Sequence, residues 1–400
     1  MIKYKKRQCF NDVWGFVVFK KITLLVSLAV MSLLALIWFG AYSPKSVEFL
    51  DLYQNEGEEA PLFPKNKSLS VLSWNIQYAA GMNYNPWYQH STNSDRKPTK
   101  LSVYETLDKI AAVIKKIDSD VVLLQEVDIN ATRTYDINQV EVLLKKLPQY
   151  KHYSIAYYWK NNFNPHYKIR GKVGMALVVL SKYELKKATR YALPLFEDQD
   201  LITKHFYLKR AIQEVKMPTQ SGETIVLLNT HLSAFSSENS TVMQKQVKTI
   251  KEHLEAIEKT GDRWLLGGDF NLLPPGQASI TNKRVKIKIR EALRGANKYK
   301  SERRLSMIDF SDIKQEKEPS EIHLLFDDFA VFPSLKAIKK NSQAMLTWKP
   351  NFSFDVGLTK TIDYVFYSKK WSLKKVGVLQ KEGKNISDHM PVYVKVFIKE

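Results

Sequence analysis

Six short polar clusters, each at the end or the start of an apolar run, define the chemistry available to this chain. Leu72-Ser73-Trp74-Asn75 ends in an amide, and Val121-Val122-Leu123-Leu124-Gln125-Glu126 ends in a carboxylate. Leu227-Leu228-Asn229-Thr230-His231 ends in an imidazole. Leu265-Leu266-Gly267-Gly268-Asp269-Phe270-Asn271 carries a carboxylate and an amide two residues apart, on one side of an extended chain. Asp363 stands in Thr361-Ile362-Asp363-Tyr364, and Ser387-Asp388-His389 precedes the last apolar run. Carboxylates and amides offer oxygen ligands to a hard cation such as Mg²⁺, with Mn²⁺ as the alternative. Two histidines serve proton transfer, and amides can hold phosphate oxygens. Packing alone calls for ordinary turn residues at strand ends, so the repeated clusters point to phosphate chemistry around a divalent cation.

The ordered series S-W-N, L-Q-E, N-T-H-L, G-D-F-N, I-D-Y and S-D-H resembles the motif set of the endonuclease/exonuclease/phosphatase superfamily. That superfamily includes pancreatic-type deoxyribonucleases, abasic-site endonucleases, inositol-polyphosphate phosphatases and bacterial sphingomyelinases. The resemblance runs from about Leu69 to Phe397 and rests on the order and spacing of the motifs, since any one tripeptide is weak. It implies a metal-dependent hydrolase of phosphate esters with a deoxyribonuclease-I-like fold. It makes Glu126 the principal metal ligand, helped by Asn75 and, directly or through water, by Asp388. Asp269 would orient or deprotonate the attacking water, and His389, propped by Asp363, would bind the phosphate and stabilise charge. A carboxylate partner of that kind fixes an imidazole tautomer. His231 would protonate the leaving oxygen or bind the phosphate. Arg210, Asn229 and Asn271 form the expected substrate-binding set, with the Arg210 guanidinium able to fork onto phosphate oxygens.

Taken singly, these residues have plainer explanations. Asn75 reads as a turn amide, Arg210 as a surface charge, and Glu126 or Asp269 as a cap. One shared site is what explains them together. His231 argues against the abasic-site branch, which typically lacks a histidine there. Gly174 to Lys182 is longer than the family's usual glycine-to-serine-lysine run, which predicts a bulge or slipped strand at the rim of the site.

The elements that must position these residues are short apolar runs and two amphipathic helices. Strands are expected at Leu69 to Trp74, Val121 to Leu124, Ala176 to Leu180, Phe206 to Val215, Thr224 to Leu228, Trp264 to Leu266, Ile362 to Tyr367 and Val392 to Ile398. A Ser221-Gly222 turn joins two of them. Val103, Leu107, Ile110, Ile114 and Ile117 line one face of a helix, with Ser102 and Glu105 as its capping box. Met243, Val247, Ile250, Leu254 and Ile257 line another that Gly261 stops. Single apolar stripes interleaved with strands imply an α+β fold, a four-layer sandwich of two mixed sheets packed face to face and flanked by helices.

Four hundred residues accommodate one such domain, placed at 67–400. Cys9 is the only cysteine, which excludes an intramolecular disulfide and a cysteine metal site. Ile22 to Tyr42 carries no charge, and at about 1.5 Å per residue it reaches about 32 Å, enough to cross a hydrocarbon core of about 30 Å. A basic tail at 1–21 precedes it and acidic residues follow, so the expected protein spans a membrane once, with its N-terminus cytoplasmic and its catalytic domain outside. A cleaved signal peptide is the alternative, against which stand the length of the apolar stretch and the lack of a clear small-x-small site after it. Residues 43–66, with Pro44, Pro61 and Pro64, read as a tether.

The formal net charge is +20, which favours an anionic partner: nucleic acid, anionic phospholipid or another phosphate ester. No obligate protein partner is evident. Lys283 to Arg304 is strongly basic and reads either as a solvated helix face or as a phosphate clamp. Aromatic residues at Tyr78, Tyr84, Trp87 and Tyr88, and at Tyr153, Tyr157, Tyr158, Trp159 and Phe163, suit base stacking, a lipid interface or plain core packing. A nuclease-like phosphodiesterase is the leading expectation and a lipid or inositol-phosphate hydrolase the alternative. A silent binding protein is disfavoured by the intact cluster.

Overall fold

Runs of Val, Leu and Ile that are buried on both faces build the inner strands of this domain, because each sheet is covered by the other sheet on one side and by helices on the other. The computed structural model describes residues 2–57, 59–81, 84, 97–164, 169, 171–234, 241–295, 318–350 and 356–398. In chain order the strands are β1 (Val47–Leu50), β2 (Leu52–Gln54), β3 (Leu69–Asn75), β4 (Val121–Asp128), β5 (His152–Asn164), β6 (Gly171–Ser181) and β7 (Lys187–Ala192). They continue with β8 (Ala211–Pro218), β9 (Thr224–His231), β10 (Arg263–Asp269), β11 (Ala330–Phe332), β12 (Asp363–Tyr367), β13 (Trp371–Val378) and β14 (Val392–Ile398). One sheet has the order β1-β7-β8-β9-β10-β12-β11, the other β13-β14-β3-β4-β6-β5-β2. Both are mixed, since β9 and β10 run parallel, as do β3 and β4, within otherwise antiparallel sheets.

Alternation along each strand decides the layers. Val71, Leu123, Val179, Leu227, Leu265 and Val394 meet between the sheets. Their neighbours Leu72, Val122, Leu124 and Val178 face outward onto helices α2 (Lys100–Ile117) and α3 (Gln139–Lys146). On the opposite side Val226, Leu228, Leu266 and Phe366 pack under α5 (Val242–Thr260). The four-layer sandwich is therefore as expected. Gly267 lets the layers close at the site, because a Cβ there would lie 2.8 to 2.9 Å from Leu123 and Ser73 of the facing sheet.

Several boundaries differ from the sequence expectation. α2 starts one turn early: Thr99 caps it by accepting from Ser102 N, so Ser102 is inside the helix. Phe206 does not open a strand. Asp200 accepts from Ile202 N and Thr203 N and starts a short helix, α4 (Leu201–Phe206), after which β8 begins at Ala211. β5 has no expected counterpart, because bulges near Tyr157 and Asn161 break its alternation. α5 matches its apolar stripe and ends on Gly261 with φ 82°.

The N-terminal region is one helix, α1 (Ile2–Phe39), which contains an apolar stretch, Val18–Phe39, long enough to cross a membrane. It stops three residues short of the expected limit, for Ala41 bridges to Asn161 and Tyr42 N donates to Lys160 O at 3.1 Å. The expected tether is likewise partly structured: β1 pairs with β7 of one sheet and β2 with β5 of the other. Main-chain hydrogen bonds to both sheet edges outweigh the loop-like composition there.

Candidate active site

Strand register puts three of the expected residues side by side. Asp269 at the end of β10 is paired with His231 on β9 and with Asp363 on β12. Residues opposed in this way project from the same face of the sheet. In the facing sheet Asn75 pairs with Gln125, next to Glu126. A bulge between Leu124 and Val127, with Glu126 at φ 56°, turns Glu126 out of the ladder toward the site. The Gly174 to Lys182 run, where the sequence predicts a bulge or slip, is itself regular, and the extra residues lie on its partners β4 and β5.

Polar contacts then join the two sheets. Asn75 Nδ2 donates to Glu126 Oε1 at 3.1 Å and to Asp269 Oδ2 at 3.0 Å, while its oxygen accepts from Gln77 N. Expected as a cation ligand through oxygen, Asn75 here presents its NH₂ group and positions both carboxylates. His389 Nδ1 donates to Asp363 at 2.9 Å, and its Nε2 lies 3.5 Å from Asp269 Oδ2. His231 Nε2 lies 3.3 Å from the same Asp269 oxygen. The Ser387-Asp388-His389 loop is fixed by Ser387 Oγ, which donates to Asn75 O at 2.8 Å. Asp388 N donates to Gln77 Oε1 at 3.2 Å.

The two histidines are pushed in opposite directions. Burial and the neighbouring Arg210 and His389 cations push His231 well below the usual imidazole range. Burial acts the same way on His389, but Asp363, Asp269 and Asp388 outweigh it and raise it well above that range. Carboxylates therefore favour the charged form of His389, while burial and neighbouring cations favour the neutral form of His231. Burial, with Glu126 adding to it, pushes the Asp388 carboxyl up to about 6, and burial raises Asp269 and Glu126 as well.

The expected substrate-binding residues separate. Arg210 is buried beside the Tyr158 ring, 5.2 Å from its centroid, and its Nη1 has no hydrogen-bond partner among the described residues. Asn271 donates its main-chain N–H to Asp269 Oδ1 at 3.0 Å and its side-chain amide to Leu232 O at 3.2 Å, at φ 53°. Asn229 lies behind the site. Its oxygen accepts from Gln125 Nε2 at 2.8 Å and its nitrogen donates to Leu124 O and Val178 O, so the side chain is consumed in tying one sheet to the other. Asn229 shares the face of β9 that carries His231 but lies one step deeper, between the sheets.

Tyr158 is the residue that sequence reasoning misses as a member of the site. Its hydroxyl accepts from Glu126 N at 3.2 Å and lies 3.4 Å from His231 Nδ1. The only signal was its place in an aromatic run. Gln77 is missed too. It reaches Asp388 from a turn in which Gln77, Tyr78 and Ala79 all have positive φ, a backbone that costs non-glycine residues roughly 1 kcal/mol or more each. Trp87, Tyr88 and the basic residues after 295 lie outside the described residues.

Two groups of ligand atoms, Glu126 with His231 and Asp269, and Asp269 with Asp363 and His389, each fall within 4.8 Å of one another. Mutually repelling carboxyls raised by burial, with Glu126 keeping an exposed edge, are a donor set that fits a hard divalent cation. Asp388 falls in neither group, though Glu126 acts on its carboxyl electrostatically.

The fold is shared with an endonuclease/exonuclease/phosphatase from Beutenbergia cavernae, at 17% identity over 83% of this chain and 72% of that one, TM-score 0.52. It is shared also with the human Nocturnin catalytic domain, at 15% identity over 88% of this chain and 97% of that one, TM-score 0.51. No curated protein matches the sequence. The family model described as Endonuclease/Exonuclease/phosphatase family matches residues 72–389, from the Leu72 that leads into Asn75 to His389 itself. The chain therefore belongs to the Endonuclease/Exonuclease/phosphatase family, whose members are hydrolases of phosphate esters.

Proposed function

We propose that this protein is a divalent-metal-dependent phosphoesterase that hydrolyses phosphodiester or phosphomonoester bonds by attack of water. The observation that carries the proposal is the row of His231, Asp269 and Asp363 with His389 laid across it. Mg²⁺ or Mn²⁺ held by Glu126 and Asp388 would supply Lewis-acid stabilisation of the phosphoryl oxygens. Asp269, oriented by Asn75 and by the Asn271 N–H, accepts a hydrogen bond from the attacking water and takes its proton. The His389 imidazolium, anchored on Asp363, faces the charge that develops on the phosphoryl group. Arg210 offers its unpartnered Nη1 to a phosphate oxygen. His231 is neutral without substrate. An arriving phosphate raises its pKa, which prepares it to protonate the leaving oxygen.

Nucleic acid is the first substrate reading, because the chain is basic and Lys283 and Lys286 line a cavity of about 600 Å³ along α6 (Ala278–Gly295). Arg284 and Lys288 are not part of that surface, for they donate to Thr359 O and Leu358 O. A phospholipid or inositol phosphate is the second reading, favoured by the contact between α1 and the catalytic domain. The test is turnover of DNA, RNA, inositol phosphates and phospholipid vesicles with and without Mg²⁺ or Mn²⁺. Polynucleotide cleavage whose log affinity falls with log salt by about 0.7 to 0.9 per phosphate contacted supports the first reading. Untouched polynucleotide at low salt with active vesicle hydrolysis establishes the second. Activity that survives EDTA on every substrate overturns the metal-dependent proposal.

A further inference from the structure

The end of α1 is fastened to the catalytic domain through α4. Trp38 stacks on His205 with ring centroids 3.9 Å apart and planes 6° apart. Its carbonyl lies 2.8 Å from His205 Nε2, and Phe206 meets the indole edge-on. Leu201 and Ile202 precede His205 by four and three residues, so they share its face of the helix. Both are bare, at 80% and 62% exposure, as is Phe39 at 85%. A six-residue helix that turns its aliphatic side chains outward, next to the end of a bilayer-length apolar helix, faces the medium that helix occupies. Trp38 at this junction has the amphipathic ring expected at headgroup level.

Charge near α4 is mixed rather than basic. Glu197 is paired with Lys245 at 2.6 Å, and Asp200 is engaged by the N–H groups of Ile202 and Thr203. The Thr203 hydroxyl and the two N–H groups hold Asp200 below the usual carboxylate range, so it stays ionised, and the attraction proposed for this surface is apolar rather than electrostatic.

We infer that α4 is a second membrane contact: it lies in the headgroup layer beside α1, with Leu201 and Ile202 dipping into the lipid. This rests on α1 spanning a bilayer. The consequence reaches the site through β5. Phe206 O accepts from Trp159 Nε1 at 2.8 Å and from Asn161 Nδ2 at 3.0 Å. The preceding residue on β5, Tyr158, holds Glu126 and His231, and Arg210 follows α4 by four residues. Docking of α4 thus holds the Tyr158 and Arg210 side of the site near the lipid headgroups, where a membrane-borne phosphate ester is presented.

The test uses the full chain with Cys9→Ser, reconstituted in phosphatidylcholine vesicles and carrying one environment-sensitive fluorophore at Leu201→Cys. Ser221→Cys, in the turn at the far end of β8, is the aqueous control, and Leu28→Cys in α1 reports insertion of the helix. The expected result is strong quenching at position 201 by a lipid spin-labelled near its headgroup, with protection from aqueous iodide, and the reverse at position 221. In the Ile202→Glu background the position 201 probe should become accessible to iodide. Iodide quenching at position 201 equal to that at 221, with position 28 buried, overturns the docking of α4 while leaving the span intact. Iodide access at position 28 refutes both.

Discussion

Asn75 donates its side-chain amide to Asp269 Oδ2 at 3.0 Å, bridging the two sheets and 194 positions of sequence. The same nitrogen holds Glu126 at 3.1 Å, so one amide sets the spacing of the two carboxylates on which water activation and cation binding are proposed to depend.

If that division of labour holds, Asp269→Asn, Glu126→Gln and His389→Ala each lower kcat by roughly 10²-fold or more, the scale of losing one general base or one electrostatic donor. Steady-state kinetics on a small chromogenic phosphodiester, with circular dichroism to verify folding, measures this. A fully active Asp269→Asn protein contradicts the mechanism.

Cation binding is separable from turnover. A ligand that binds only the folded state stabilises it by about 2.7 kcal/mol at one hundred times its Kd. Mg²⁺ or Mn²⁺ should therefore raise the Tm of the wild-type protein, and Glu126→Gln or Asp388→Asn should lose most of that rise. Equal shifts in wild type and Glu126→Gln place the cation elsewhere.

Asn229 distinguishes a structural amide from a substrate ligand. Asn229→Ala removes a donor and an acceptor from three buried partners, Gln125, Leu124 and Val178. Leaving one such group unpaired costs about 1 to 3 kcal/mol. The variant should melt lower while KM for the folded enzyme stays near wild type. A KM defect without loss of Tm returns Asn229 to the substrate-binding set.

Basic residues before the apolar stretch and acidic ones after it lead us to expect the catalytic domain outside the cytoplasm. A reporter active only in the cytoplasm, fused after Glu400, should be silent, and one active only outside should give signal. A bright cytoplasmic reporter reverses the topology.

The sequence by itself determined the layers and most of the chemistry. Apolar runs in β3, β4, β9 and β10, and single stripes on α2 and α5, left one way to bury both faces of two sheets. Motif order brought Glu126, Asp269, Asp363 and His389 to light because their types are costly at strand ends unless they serve a common site. What only tertiary structure decided was direction and partnership. Asn229 and His231 share a face of β9 and only depth separates them: Asn229 ties the sheets together behind the site, while His231 at the strand end reaches Asp269. Tyr158 and Gln77 act through a bulged strand and a left-handed turn, conformations that local pattern disfavours and long-range contacts impose. The tether and Phe206 went the same way: hydrogen bonds to sheet edges and to Asp200 ordered segments whose composition pointed elsewhere. Local periodicity encodes which face is buried, but the partners that fill a polar site come from strands as much as 315 residues apart, as when Trp74 Nε1 donates to His389 O, and no local window contains both.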